Sequence, residues 1–95
     1  MAAYLIGQIT VRDSSLWQNY VAGVAESLAS FDTRIIFRGT RSATLAGTND
    51  RDLAVVIEFS DQKTLQNWFN SDRYQGLIPL RDRAADVVIT TYEAD

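Results

Sequence analysis

Leu53-Ala54-Val55-Val56-Ile57-Glu58-Phe59 is the stretch on which the fold turns. Apart from Glu58 it is wholly apolar, and its β-branched and aromatic residues fit a pleated surface. Side chains alternate along a strand, so Val55, Ile57 and Phe59 point to one face and Ala54, Val56 and Glu58 to the other. Both faces are therefore largely apolar, and a sheet built on this strand needs cover on both sides. Toward the N-terminus, the cluster Gly47-Thr48-Asn49-Asp50 reads as a turn. Before it, Thr33-Arg34-Ile35-Ile36-Phe37-Arg38 is a second run of strand formers. The two runs predict an antiparallel hairpin, its first strand extending as far as Ala43 to Leu45 and Gly39 marking a bulge. Ile35 and Phe37 oppose Ile36, so this strand too is apolar on both sides.

Beyond the hairpin, Ser60-Asp61 starts a helix with Leu65, Trp68 and Phe69 on its apolar side. Ser71-Asp72 is a fresh cap for a continuation carrying Tyr74, Leu77, Ile78 and Arg81. Pro79 inside that segment predicts a kink or two short pieces. Asp86 to Glu93 is a last strand. At the other end, Ala3 to Arg12 predicts a strand with Ala3, Leu5, Gly7, Ile9 and Val11 on an apolar or small face. Asp13-Ser14-Ser15 then opens a helix with Trp17, Tyr20, Val21, Val24 and Leu28 along one stripe, ending near Ser30. Gly23 lies within it and weakens it slightly relative to Ala.

The order strand, helix, strand, strand, helix, strand is the ferredoxin-like βαββαβ arrangement. It predicts an α+β fold: a four-stranded antiparallel sheet with both helices on one face. The 95 residues suit a single domain over 1–95, and two helices are too few to cover both faces of a three-layer fold. The second face is then bare. Each large apolar side chain there is worth about 1.5–3 kcal/mol when fully buried, and a patch of that kind marks an interaction site. The simplest partner is a second copy, sheet against sheet about a twofold axis. A homodimer through the open sheet face is expected.

The residues now assembled carry a resemblance. Arg38-Gly39, Val55-Val56-Ile57-Glu58-Phe59, Trp68-Phe69-Asn70-Ser71 and the run Tyr74-Gln75-Gly76-Leu77-Ile78-Pro79-Leu80-Arg81-Asp82-Arg83-Ala84-Ala85-Asp86 are similar to the domain of unknown function family 1330, as is the opening Ala3-Tyr4-Leu5-Ile6-Gly7-Gln8-Ile9. The resemblance covers nearly the whole chain and is most specific in the second half. It implies a dimeric α+β barrel, two ferredoxin-like subunits packing their sheets together. Proteins of that wider group include cofactor-free monooxygenases, haem-degrading enzymes and muconolactone-isomerase-like proteins. Kinship of fold is analogy about chemistry, not evidence of it.

Composition narrows the chemistry. The chain has no Cys and no His. That excludes thiolate nucleophiles, zinc-thiolate clusters, Ser-His-Asp triads and imidazole ligation, and members of the wider group that depend on His are no models for it. The acidic residues show no calcium-loop spacing, so no metal is expected. No GxGxxG or Walker spacing occurs, and no cofactor is expected. The net charge of −3 argues against nucleic acid, and an aliphatic open sheet argues against RNA in particular. No apolar run approaches the roughly 20 residues of a membrane span. The opening MAAYLIGQITVR lacks a basic segment before its apolar stretch, so no signal peptide is expected and the cytoplasm is the expected compartment.

Five residues stand out for a ligand: Arg38, Glu58, Trp68, Tyr74 and Arg81. A hairpin folded about Thr48 brings Arg38 almost opposite Glu58, both on the even-numbered face. The pair then binds a carboxylate or polarises a carbonyl, or it is a structural bridge; a one-residue slip at Gly39 destroys the match. Arg81 shares a helical side with Tyr74, Leu77 and Ile78, and either clamps an anion or bonds a carboxylate of the last strand. Asp82 and Arg83 read as a solvated face. Trp17, Trp68, Phe69 and Tyr74 cluster beneath the helices, as the walls of a cleft or as core. Tyr4, Gln8 and Tyr92 offer polar contacts from the strands. No residue is singled out as catalytic. Two functions fit: a homodimer that binds or converts a small organic molecule without a cofactor, and a non-catalytic dimeric module that senses or scaffolds.

Overall fold

The computed structural model describes residues 1–95. Its elements are β1 (Ala3–Val11), α1 (Ser14–Leu28), β2 (Thr33–Thr40), β3 (Leu53–Phe59), α2 (Gln62–Phe69), α3 (Asp72–Gln75), α4 (Ile78–Ala84) and β4 (Ala85–Glu93). The four strands form one sheet in the order β2-β3-β1-β4, every neighbouring pair antiparallel. This is the α+β, ferredoxin-like arrangement. Three of the four helices begin where short acceptor side chains satisfy free N–H groups. Asp13 accepts from the Leu16 amide at 3.1 Å, Asp61 from Thr64 at 2.7 Å, and Ser71 from Tyr74 at 3.2 Å.

The register sorts the side chains. Leu5 stands opposite Ile57, Gly7 between Val55 and Ile89, and Ala3 opposite Phe59. These odd-numbered residues face the helices. With Leu28, Leu65, Trp68 and Tyr74 they build the main core. Tyr4, Ile6, Gln8, Val56, Glu58, Val88 and Tyr92 lie on the other face, which no helix covers. The molecule is only 16 Å thick along its short axis, the depth of one sheet and one helical layer. Phe37 (51% exposed), Ile36 (46%), Val88 (42%) and Tyr92 (53%) form part of the surface this leaves. No helix is long and apolar enough to cross a membrane.

Two local expectations need correction. β2 stops at Thr40 and does not run on to Leu45, whose side chain is 97% exposed. The bulge lies at Ile36 rather than Gly39: Ile35 pairs with Ile57 and Phe37 with Val56, leaving Ile36 over. Beyond that point the faces exchange parity, so Phe37 joins the open face while Arg38 and Thr40 turn to the helix side. Gly39 has a different task. A Cβ there would lie 2.6 Å from Phe37 Cζ, so the bare glycine is what lets the ring lie flat along its own strand. The segment forms two short helices, α3 and α4, the second of the two outcomes expected around Pro79. The break comes before it, at Gly76-Leu77, and Pro79 sits in the first turn of α4, where its missing N–H has no helical partner to lose.

Candidate functional site

Helix α1 stands off the sheet and leaves a cavity of about 350 Å³ beneath it. Gly7, in the middle of β1, keeps the floor low. A Cβ there would come within 3.0 Å of Val55 Cγ1, so even a methyl group would press on the neighbouring strand. Val21 and Val24 of α1 form the roof, and Val55, Ile57, Val87 and Ile89 the floor on either side of Gly7. The closed end is aromatic: Trp68 is 2% exposed and Tyr74 fully buried. The open end lies at edge strand β2, where Ile35 remains 46% exposed although it faces the helices. Gly23 lets α1 lean on the α3–α4 junction instead of the sheet: a Cβ there would meet Leu77 Cδ2 at 2.6 Å.

The aromatic side chains run as one connected series. Trp17 packs on Tyr20 with ring centres 5.2 Å apart, Tyr20 meets Tyr74 edge-on at 6.4 Å, and Tyr74 meets Trp68 at 4.4 Å. Trp68 in turn meets Phe59 at 5.5 Å. Its indole N–H donates to Ser27 Oγ at 2.9 Å, and Ser27 donates to the Val24 carbonyl at 2.7 Å. The bulk of Trp68 is therefore core, its polar atom satisfied inside the protein, and one part of the ring still lines the cavity.

A polar thread crosses the closed end. The Tyr20 and Tyr74 hydroxyl oxygens are 2.8 Å apart and share a hydrogen bond. Arg81 Nη1 donates to the Tyr74 hydroxyl at 3.1 Å, while its Nε donates to Asp82 Oδ1 at 3.1 Å. Burial, with the Tyr74 phenol close by, pushes the Tyr20 hydroxyl pKa well up, so this group stays protonated. Burial also works against the charge of Arg81, but the hydrogen bonds to Tyr74 and Asp82 outweigh it and hold the guanidinium above its ordinary value.

The five residues singled out from sequence thus divide. Trp68 and Tyr74 line the closed end of the cavity and Arg38 its open end. Arg38 is the one charged residue among those lining it, and none of the four ion pairs of the protein includes it. Arg81 reaches the cavity only through the Tyr74 hydroxyl. It borders a second, amide-lined groove of about 440 Å³ with Gln62, Gln66 and Asn70 of the α2 region. Glu58 is elsewhere. Arg38 stands opposite Val55, not Glu58, and the two charges occupy opposite faces of the sheet.

Glu58 takes Arg34 as its partner instead, with Arg34 Nε 3.0 Å from Oε1, while the Tyr4 hydroxyl donates to Oε2 at 2.7 Å. The Tyr4 hydrogen bond, then the Arg34 contact, holds the Glu58 carboxyl below the usual glutamate range. The same bond raises the Tyr4 phenol. This trio sits on the open face, where Ile6, Val56 and Val88 adjoin it. Asp82 and Arg83 are exposed, Asp82 held by Arg81. No group of three carboxylates converges as a metal site would require. Sequence reasoning overlooked Tyr20 and Arg34 as site residues. Tyr20 carried a signal, three positions after Trp17 on the same helical stripe. Arg34 carried none until the register was known.

Three comparisons place this geometry among known proteins. The family model described as domain of unknown function DUF1330 matches residues 2–94. No curated protein matches the chain. Among solved structures, a protein of unknown function from Rhodopseudomonas palustris is similar with a TM-score of 0.83 at 11% identity, over 99% of this chain and 82% of that one. SnoaB, a cofactor-independent oxygenase from Streptomyces nogalater, is similar with a TM-score of 0.72 at 8% identity, over 99% and 93% of the two chains. A dimeric ferredoxin-like protein of unknown function from Thermobifida fusca is similar with a TM-score of 0.68 at 14% identity, over 99% and 92%. At these identities the likeness is one of fold.

Proposed function

The chain belongs to the DUF1330 family of domains of unknown function, and from that premise we propose that it is a homodimer, joined through the open sheet face, that binds a small and mainly apolar organic molecule beneath α1 without a cofactor. The observation that carries this reading is the cavity. Its roughly 350 Å³ falls within the range of small-molecule sites, and its makeup matches them: apolar walls, with a few polar groups in fixed places. A module that only scaffolds has no need of such a space, and close packing would ordinarily fill it. Arg38, free of internal partners at the mouth, suits a carboxylate or other anionic group on the ligand. Trp68 and Tyr74 supply aromatic surface at the other end. Arg81 acts from behind, by fixing the Tyr74 hydroxyl.

The dimer rests on a separate observation. Phe37, Val56, Ile6 and Val88 make a continuous apolar zone on a sheet face that nothing in the chain covers, and patches of that kind mark contacts. The similar Thermobifida fusca protein is described as dimeric. Glu58, with Tyr4 and Arg34, belongs to this contact face rather than to the ligand.

2-Naphthoate, an aromatic body with one anionic group and a size that suits the cavity, tests the binding reading. It should bind the folded wild type saturably, one molecule per chain. Arg38→Ala should weaken binding by about tenfold while leaving the melting temperature nearly unchanged, since an exposed and unpaired side chain contributes little to stability. Equal binding by the variant, or no saturable binding by the wild type, would overturn the assignment.

A further inference from the structure

The hydroxyl thread at the closed end holds one hydrogen more than it uses. Arg81 can only donate, so it fills an acceptor position on the Tyr74 oxygen. The two phenols share a single hydrogen bond between them. Two phenolic hydrogens are present and one is consumed. If Tyr74 donates to Tyr20, the spare hydrogen is on Tyr20. If Tyr20 donates to Tyr74, the spare is on Tyr74. The count is the same either way, and both residues line the cavity. The guanidinium settles the sign of this end. By drawing electron density from the Tyr74 oxygen, it makes the phenol beyond it a better donor. Tyr20 is not placed to act as a base, since burial holds it in its protonated form.

We propose that Tyr20 and Tyr74, polarised by Arg81, make the closed end of the cavity a hydrogen-bond donor site for a carbonyl oxygen, so that the ligand class is apolar ketones, aldehydes or quinones of about a dozen non-hydrogen atoms. The size follows from the cavity volume against the roughly 30 Å³ that one water occupies. The class follows from the walls and the surplus donor: the cavity is mainly apolar between the mouth, where Arg38 stands, and the closed end, which offers a hydrogen. This rests on the binding reading above and deepens it. Tyr20 and Tyr74 are then specificity-determining residues and Arg81 a positioning residue.

The test uses two probes of matched size and substitution pattern, acetylnaphthalene and ethylnaphthalene, with the indole N–H signals of Trp17 and Trp68 followed by NMR titration. Both probes should bind the wild type. Tyr20→Phe should lose about five- to tenfold in affinity for the ketone, the usual worth of one hydrogen bond, and none for the hydrocarbon. Tyr74→Phe should act in the same direction. A Tyr20→Phe protein that binds the ketone as tightly as wild type overturns the donor assignment and leaves the cavity reading standing. If neither probe shifts the signals of the wild type, the cavity reading falls and this inference with it. A measurement on the wild type alone guards against a variant that fails to fold. The carbonyl stretch of bound acetylnaphthalene should lie at lower frequency than in hydrocarbon solvent, and an unshifted band would refute the proposal.

Discussion

Replacing Tyr74 with Phe removes one oxygen atom and little else. The ring keeps its contacts with Trp68 at 4.4 Å, Phe69 at 5.2 Å and Tyr20 at 6.4 Å. Two hydrogen bonds go: one to the neutral Tyr20 hydroxyl and one from the charged Arg81. A neutral bond is worth about 1 kcal/mol and one to a charged group about 1.5–3 kcal/mol. The second figure belongs at its low end, because Arg81 keeps its bond to Asp82 and its side chain is 18% exposed to water. The expected loss is therefore about 2–3 kcal/mol. For a chain of this length that lowers the melting temperature by about 10–20 °C. Tyr20→Phe breaks only the neutral bond and should cost about 1 kcal/mol. The double variant should cost less than the two singles together by about 1 kcal/mol, the value of the shared bond. Urea unfolding followed by circular dichroism gives all three numbers, provided the chain concentration is held constant, since association adds to apparent stability. A Tyr74→Phe cost below about 0.5 kcal/mol, or strict additivity of the singles, would refute the hydroxyl thread as drawn.

The remaining predictions concern the open face. Glu58 has a lowered pKa in the folded state, so its contribution to stability is present above the ordinary glutamate value of 4.5 and is lost as the pH falls through the lower, folded value. Denaturant midpoints measured against pH should show this decline in the wild type, and Glu58→Gln should reduce it; an identical acid limb in both would count against the Tyr4–Glu58–Arg34 trio. Val56→Arg places a charge in the middle of the apolar zone, so sedimentation should report single chains that retain native circular dichroism. A Val56→Arg dimer as tight as wild type would move the contact to another surface.

The element order was legible because each segment carries a plain signal of its type. Leu53–Phe59 is a run of strand formers broken only by Glu58, and Asp13, Asp61 and Ser71 announce helices that do begin at those points. The failures all lie in β2 and have one origin. Ile36 and Phe37 are both large and apolar, so nothing in their polarity shows that they share a single partner, Val56. Thr33 pairs with Phe59, which centres the hairpin on Ala46 rather than Thr48. With the turn misplaced by two residues and the bulge by three, Arg38 fell opposite Glu58 on paper. In the fold, Arg34 takes that place. The aromatic cluster was legible as a cluster, but the Tyr20–Tyr74 bond joins residues 54 apart in sequence and needed the packing of α1 on α3 to appear. Gly7 is the residue whose importance was hardest to see, since what it contributes is space.

The surplus residue at position 36 also says something about how this strand tolerates change in length. Ile36 has no register partner, so a chain lacking it would still pair Ile35 with Ile57 and Phe37 with Val56. A deletion in β2 away from the bulge would send its downstream neighbours to the opposite layer. In a chain without the surplus residue, the cation at the ligand's doorway would stand one number earlier and still face the same layer.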